Sequence, residues 1–116
     1  AGLAPTVDLE FSRACAYRPS RPSFRKNFSV FIEMLTAAYG KKPILYVNSG
    51  IYARYFSGEK DDNPLWICAP RGEPSLPDNR EWTFWQYSFS GSIEGIDGQV
   101  DLDAFNGSPE EFASLP

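Results

Sequence analysis

Two acidic residues two positions apart, Asp8 and Glu10, are the first residues whose spacing could support catalysis. They lie in a short β-prone run, residues 5–11, and on a strand alternate side chains share a face, with backbones about 6.6 Å apart. Two negative charges at that distance repel by roughly 2.5 kcal/mol at an effective dielectric constant of about 20, so one carboxyl group should keep its proton longer. An acid beside a carboxylate is what glycosidic cleavage requires, although a pair with this spacing is more often a solvated strand edge.

A third acid, Asp101, stands between two apolar residues in a run that otherwise has the pattern of a buried strand. A buried carboxylate needs a partner. Asp101 therefore either caps a turn, pairs with an arginine, or belongs to the same pocket as the first two acids. The sequence alone leaves these three interpretations open.

Aromatic residues on or beside the predicted strands form the third candidate group. Flat aromatic faces with polar tips hold sugar rings, but strands also favour aromatic residues for ordinary packing. Because side chains alternate along a strand, Trp85 and Tyr87 are expected to share one face. The group comprises Tyr46, Trp66, Trp82, Trp85 and Tyr87.

The elements that would position these residues alternate between strand and helix. After the first strand, apolar residues at helical spacing predict a helix over residues 23–39, capped by Ser23 and ended by Gly40. Strands are expected at residues 5–11, 42–47, 65–68, 82–88 and 99–105, with a turn at 48–50, a short helix at 51–56, a loop at 70–78 and a turn region at 91–98. No element is predicted after Phe105. This order predicts an α/β barrel that loses its helices towards the end.

Composition places the chain among small globular domains, with 116 residues of which 42% are hydrophobic and 16% aromatic. A formal net charge of −4 makes nucleic acid an unlikely partner, and no apolar run or leader-like segment predicts membrane insertion. The basic residues of one stretch are interpreted as a solvated loop and helix face rather than an anion site. They are Arg13, Arg18, Arg21, Arg25 and Lys26.

Several kinds of site are excluded by what the chain lacks. It contains no histidine, which removes the usual base of a catalytic triad and the commonest zinc ligand. The two cysteines, Cys15 and Cys68, are too few for a zinc cluster and are predicted to be buried free thiols, with a single disulfide as the alternative. Aligning the Asp97-Gly98 pair to an EF-hand loop puts Ala104 where a bidentate glutamate is required, which excludes calcium.

Taken in order, five segments resemble the second half of glycoside hydrolase family 25, the Chalaropsis-type lysozymes. They are VDLEF, GKKPILYVNSG, PLWIC, WTFWQYS and GIDGQVDLDAF. The resemblance implies a modified (β/α)5(β)3 TIM-like barrel, of which residues 1–116 would supply strands four to eight, with the first three β/α units missing. It further implies an N-acetylmuramidase that uses no metal or organic cofactor.

By motif, the resemblance makes Glu10 the general acid and Asp8 its partner carboxylate. Asp101 matches a further acid at the pocket floor, and the sugar-contacting aromatic positions match Tyr46, Trp66, Trp85 and Tyr87. Two departures are Asp103, where the family usually has asparagine, and Cys68, where alanine is more usual. The family's first-strand aspartate has no counterpart here.

The resulting expectation is a secreted or wall-acting enzyme whose partner is the peptidoglycan glycan strand. A truncated, noncatalytic wall-binding module is the main alternative, and a purely structural protein, in which the three acids would be scattered, is the other. An open barrel edge would expose strand hydrogen-bonding groups, which predicts self-association or pairing with a missing amino-terminal half. We therefore expect little lysis from these 116 residues alone.

Overall fold

The computed structural model describes residues 2–116, which form five strands and three helices. The strands are β1 (Thr6–Asp8), β2 (Ile44–Asn48), β3 (Leu65–Cys68), β4 (Phe84–Gly91) and β5 (Val100–Phe105). The helices are α1 (Arg21–Tyr39), α2 (Ser49–Tyr55) and α3 (Pro109–Ala113). Within the described residues, no helix combines the length and the apolar character needed to cross a membrane.

All five strands belong to one sheet with the order β1-β2-β3-β4-β5. The first four strands pair in parallel, and β5 pairs antiparallel to β4. Parallel neighbours need crossover connections. Helix α1 forms the connection between β1 and β2, and helix α2 forms the first part of the connection between β2 and β3. The predicted alternation of strands and helices, and with it a mixed α/β fold, is confirmed.

One face of the sheet is buried beneath the helices. Residues aligned across neighbouring strands point to the same side, and Val7, Leu45 and Leu65 form one such row, while Val47 and Ile67 form the next. These residues pack against a helix and loop layer that consists of Phe28, Ile51, Tyr52, Tyr55, Phe56 and Leu76. We call this the outer face, and the residues between these positions belong to the opposite, inner face.

Helix α1 begins earlier than its apolar pattern predicted. Ser20, not Ser23, is the cap, because its hydroxyl accepts a hydrogen bond from the Ser23 backbone N–H at 3.3 Å and its own backbone is extended. Pro22 fits in the first turn, where its missing N–H is harmless. The predicted end is confirmed, since Gly40 adopts a left-handed φ of 67° and its N–H donates to Thr36 O at 2.8 Å.

Several other boundaries differ from the sequence-based expectation. Strand β1 ends at Asp8, three residues before the predicted end, although Leu9 still makes one strand-like hydrogen bond. The predicted turn at 48–50 is wrong, because Asn48 ends β2 and its side chain accepts from Ile51 N at 2.8 Å, which starts α2 at once. Helix α3 was not predicted, although Ser108 and Glu111 form a capping box there.

The cysteine prediction is only partly correct. Both thiols are free, and Cys68 is half-buried at the end of β3. Cys15 is exposed rather than buried, because it lies in the loop between β1 and α1, where its carbonyl accepts a hydrogen bond from Arg18.

The basic stretch is divided between two environments. Arg25 forms a two-pronged hydrogen bond with Asp61, with both N···O distances at 2.8 Å, and Arg21 pairs with Glu59 at 3.2 Å. These contacts fasten the start of α1 to the loop before β3 and raise the pKa of Arg25, chiefly through the Asp61 hydrogen bond. Arg13 and Arg18 lie instead in the exposed loop before α1.

The cap assignment is testable by substitution. Ser20→Ala should lower the free energy of unfolding by about 1 kcal/mol, because the first turn of α1 loses a hydrogen-bond acceptor. Ser23→Ala, at an exposed position two residues into the helix, should change it by less than about 0.5 kcal/mol. Urea unfolding of both variants measures the difference. A larger loss for Ser23→Ala would return the cap to the position that the sequence suggested.

Candidate active site

The acid pair lies at the carboxyl end of β1. Asp8 is the last residue of the strand, and the next backbone N–H, from Leu9, donates to Tyr46 O at 2.9 Å. This bond holds the chain extended for one more residue, so that Glu10 follows at the same edge of the sheet. Catalytic groups of α/β barrels are found at this end of the strands.

Asp8 and Glu10 open into a concavity of about 220 Å³ on the inner face of the sheet. The register explains its wall, because Asp8 aligns with Tyr46, and Tyr46 aligns with Trp66. The concavity is lined by Thr6, Asp8, Glu10, Tyr46, Trp66 and Gln86. The structure thus brings the two predicted acids together with two of the predicted aromatic residues.

The two carboxyl groups influence each other directly. A hydrogen bond with Asp8 is the main reason that the pKa of Glu10 lies above its usual value, and partial desolvation and the negative charge of Asp8 act in the same direction. Both side chains remain accessible to solvent. A carboxyl group that keeps its proton to a higher pH than usual is suited to protonating a leaving oxygen.

A chain of hydrogen bonds joins Tyr46 to Asp101 through Gln86. The Tyr46 hydroxyl donates to Gln86 Oε1 at 2.5 Å, and Gln86 Nε2 donates to Asp101 Oδ2 at 3.2 Å. Gln86 is only 5% exposed, so both polar ends of its amide are satisfied within the protein. Asp101 therefore borders the site through Gln86 and does not itself line the concavity.

Tyr46 keeps its proton throughout the physiological range. Burial is the main reason that its pKa is raised, followed by contact with the Cys68 thiol and by the negative charges of Glu10 and Asp8. The neutral phenol is a fixed donor towards Gln86, and its ring forms the wall beside the two acids.

Trp66 is held from two sides. Its indole N–H donates to Asp103 Oδ1 at 2.7 Å, which links β3 to β5 across the intervening β4. Its ring meets Tyr46 edge-to-face, with centroids 4.9 Å apart and an interplanar angle of 71°. The indole therefore presents a fixed aromatic surface to the concavity.

Trp85 and Tyr87 do not join this group. Trp85 aligns with Ile67, a residue of the outer face. The indole N–H of Trp85 donates to Ala69 O at 2.8 Å. The predicted sharing of a face is consistent with the structure, since the Trp85 and Tyr87 ring centroids are 5.6 Å apart. They lie across β4 from Gln86 and do not line the concavity with the acids.

Gln86 and Asp103 belong to the site although neither is among the site residues expected from the sequence. Strand periodicity could have identified Asp103. Asp101 and Asp103 are two residues apart on β5, so both side chains are expected on the same face of the sheet. Gln86 carries a weaker signal, as an amide between Trp85 and Tyr87 in the sequence. Gln86 is important because it lies buried between Tyr46 and Asp101. That position depends on the pairing of the four strands β2 to β5.

Within residues 2–116, no three cysteine, aspartate or glutamate side chains are grouped so as to hold a metal ion. The polar contacts of the site are instead hydrogen bonds among carboxyl, amide, phenol and indole groups.

Comparison with known proteins identifies relatives along most of the chain. A family model described as "Glycosyl hydrolases family 25" matches residues 1–96. Uncharacterized protein YegX of Escherichia coli strain K12 is 35% identical over 83% of this chain, which corresponds to 35% of YegX. Lysozyme M1 of Streptomyces globisporus is 35% identical over 97% of this chain, or 41% of its own length.

Solved structures show the same fold. A family 25 glycosyl hydrolase from Bacillus anthracis has a TM-score of 0.87 and 38% identity, covering 97% of this chain and 54% of that one. The bacterial lysozyme from Streptomyces coelicolor has a TM-score of 0.77 and 24% identity, covering 95% of this chain and 53% of that one. The chain thus spans between about a third and about half of the length of these relatives.

The coupling within the acid pair can be measured. Asp8→Asn should lower the pKa of Glu10, because the hydrogen bond and the charge that raise it both come from Asp8, and an amide can donate to the ionised carboxylate. Carbon-13 NMR titration of the Glu10 carboxyl group reports this value directly. Asp97→Asn, which removes the same charge from the exposed loop before β5, is the matched control. An unchanged or higher pKa of Glu10 in Asp8→Asn would contradict the coupling.

Proposed function

The chain belongs to the glycosyl hydrolases of family 25, and from this membership we propose that it hydrolyses the β-1,4 bond between N-acetylmuramic acid and N-acetylglucosamine in peptidoglycan. The observation that carries the proposal is the acid pair in its concavity, with a raised Glu10 pKa and walls formed by Tyr46 and Trp66. The Lysozyme M1 relative supports the same activity. The site of action would be the bacterial cell wall.

In the proposed reaction, Glu10 donates its proton to the glycosidic oxygen as the bond to the sugar C1 breaks. Positive charge then develops at C1 and its ring oxygen, and the Asp8 carboxylate stabilises it. We propose a retaining course, in which the acetamido oxygen of the substrate bonds to C1 before water replaces it. Glu10, now ionised, takes the proton of that water and is restored to its acid form.

The sugar would lie along the inner face of the sheet. Tyr46 and Trp66 provide aromatic surface for the ring, and Asp101 supplies a carboxylate near the floor of the site through its bond to Gln86. Trp85 and Tyr87 lie on the other side of β4 and have no part in this contact. These four aromatic residues thus divide into an inner pair and an outer pair.

We further propose that β1 to β5 are strands four to eight of a modified (β/α)5(β)3 barrel. Four parallel strands followed by an antiparallel one support this order, as does a relative of about twice the length. The inner face also carries uncovered apolar surface beside Trp66 and Phe84, and β1 is an edge strand. Strands placed before β1 would cover both, and self-association through the β1 edge is the alternative way to cover them.

Substitution of the proposed acid tests the function. Glu10→Gln should reduce wall hydrolysis by about 10²-fold or more, because the amide cannot donate a proton, while stability changes little. The assay follows release of sugar from bacterial walls, using the chain alone and the chain extended upstream by its first barrel strands. We expect turnover to require the extended protein.

Glu94→Gln, in the exposed loop after β4, is the matched control and should retain full activity. Full activity of Glu10→Gln would remove Glu10 from the mechanism. Unchanged binding to walls, with no turnover in any form of the protein, would instead favour the noncatalytic wall-binding module.

A further inference from the structure

The acid pair borders a second cavity in addition to the inner concavity. This cavity, of about 210 Å³, lies between the start of the β1–α1 loop and helix α2. Asp8 and Glu10 form one end of it, and Phe11, Tyr17 and Tyr55 are among the residues along its sides. A group attached to a sugar at the acid pair would therefore have space to extend in this direction.

Two arginines flank the aromatic side of this cavity. The guanidinium carbon of Arg18 lies 4.0 Å from the centre of the Phe11 ring, and that of Arg54 lies 5.8 Å from the same ring. Arg54 is also 5.4 Å from the Tyr55 ring. We call Phe11, Arg18 and Arg54 the Phe11 platform. Its three residues are exposed, so that both cationic groups are open to a ligand.

The charges of the Phe11 platform are not neutralised by the protein. Among residues 2–116, neither Arg18 nor Arg54 forms an ion pair, whereas Arg21 and Arg25 are paired with Glu59 and Asp61. Arg18 Nη1 donates to the carbonyls of Cys15 and Tyr17 at 2.8 and 2.9 Å, which orients the guanidinium and leaves its other N–H groups free. In a chain with a net charge of −4, two unpaired cations over the Phe11 ring, which lines the same cavity as the acid pair, indicate an anionic ligand.

We propose that this cavity and the Phe11 platform bind the peptide stem of the glycan through its carboxylates. The inference rests on the proposed function, because the stem is attached to the muramic acid that the acid pair would hold. Guanidinium groups match carboxylates in charge and in planar shape, and the exposed ring of Tyr17 can cover the apolar parts of a peptide. The site would make stem-bearing peptidoglycan the preferred substrate over bare glycan.

A binding experiment isolates this claim, because every residue of the site belongs to the 116-residue chain. Three probes are titrated by NMR at low salt: the lactyl amide of N-acetylglucosaminyl-N-acetylmuramic acid, the same disaccharide with its tetrapeptide stem, and that compound with its stem carboxylates amidated. We expect the stem to tighten binding about tenfold and amidation to abolish most of that gain. The gain should also shrink as salt is raised from about 0.05 to about 0.5 M.

Charge substitutions identify the residues responsible. Arg18→Gln combined with Arg54→Gln should remove the gain from the stem while leaving the bare disaccharide bound as before. Lys26→Gln combined with Lys60→Gln removes the same number of exposed charges elsewhere and should keep the gain. Arg54→Gln alone is a variant that should not disturb the loop before α1, because Arg54 makes no hydrogen bond to the backbone of the described residues. This variant should lose part of the gain in binding.

Three outcomes would overturn the proposal. Equal binding of the first two probes would show that the stem is not recognised, while shifts at Tyr46 and Trp66 with both would keep the proposed function intact. Absence of binding by all three probes would count against the stem site, while the proposed function is tested separately by the activity of Glu10→Gln in the extended protein. Stronger binding of a glycerol phosphate oligomer than of the stem-bearing probe would assign the platform to a phosphodiester wall polymer instead.

Discussion

The register between β1 and β2 is the constraint on which the rest of the site depends. Aligning Asp8 with Tyr46 places both acids on the inner face, and it places Val7 with Leu45 on the outer face beneath the helices. A slip of one residue would exchange the two faces, because side chains alternate along a strand. It would press a carboxylate into the apolar core and expose a valine, so burial of the core and orientation of the acids stabilise the same register.

The inner face is organised by polar contacts that cross several strands. Tyr46 on β2 is joined to Asp101 on β5 through Gln86 on β4, and Trp66 on β3 is joined to Asp103 on β5. Side chains tied at both ends lose little further freedom when a ligand arrives, which favours binding. The acid pair differs from these residues because Asp8 and Glu10 lie at the end of β1 and remain accessible to solvent. They form a hydrogen bond with each other rather than with the aromatic residues of the concavity.

Much of the fold could be predicted from the sequence because it depends on short-range signals. Continuous apolar runs identified β2 and β3, and Gly40 correctly indicated the end of α1. The start of α1 was missed because a helix cap depends on backbone conformation at Ser20, which apolar spacing does not report. Nor does spacing indicate where a strand ends. The predicted β1 is therefore longer than the observed strand, although Asp8 and Glu10 do lie close together as predicted.

The site could be predicted only as far as motifs and alternation reach. Asp8 and Glu10 lie together as their spacing implied, whereas Trp85 lies across its strand from the site even though its residue type suited sugar contact. Aromatic identity does not reveal which face of a strand looks inward. Gln86 shows the opposite limit, because an ordinary amide became central only through its neighbours on other strands.

We propose that the inner face of this sheet holds a glycan so that the acid pair cleaves after N-acetylmuramic acid. The most direct measurement is the identity of the new reducing sugar in fragments released from purified walls by the protein extended upstream, determined by borohydride reduction and mass spectrometry. We expect reduced N-acetylmuramic acid at the new ends. Reduced N-acetylglucosamine, or release of peptides without any new reducing end, would contradict it.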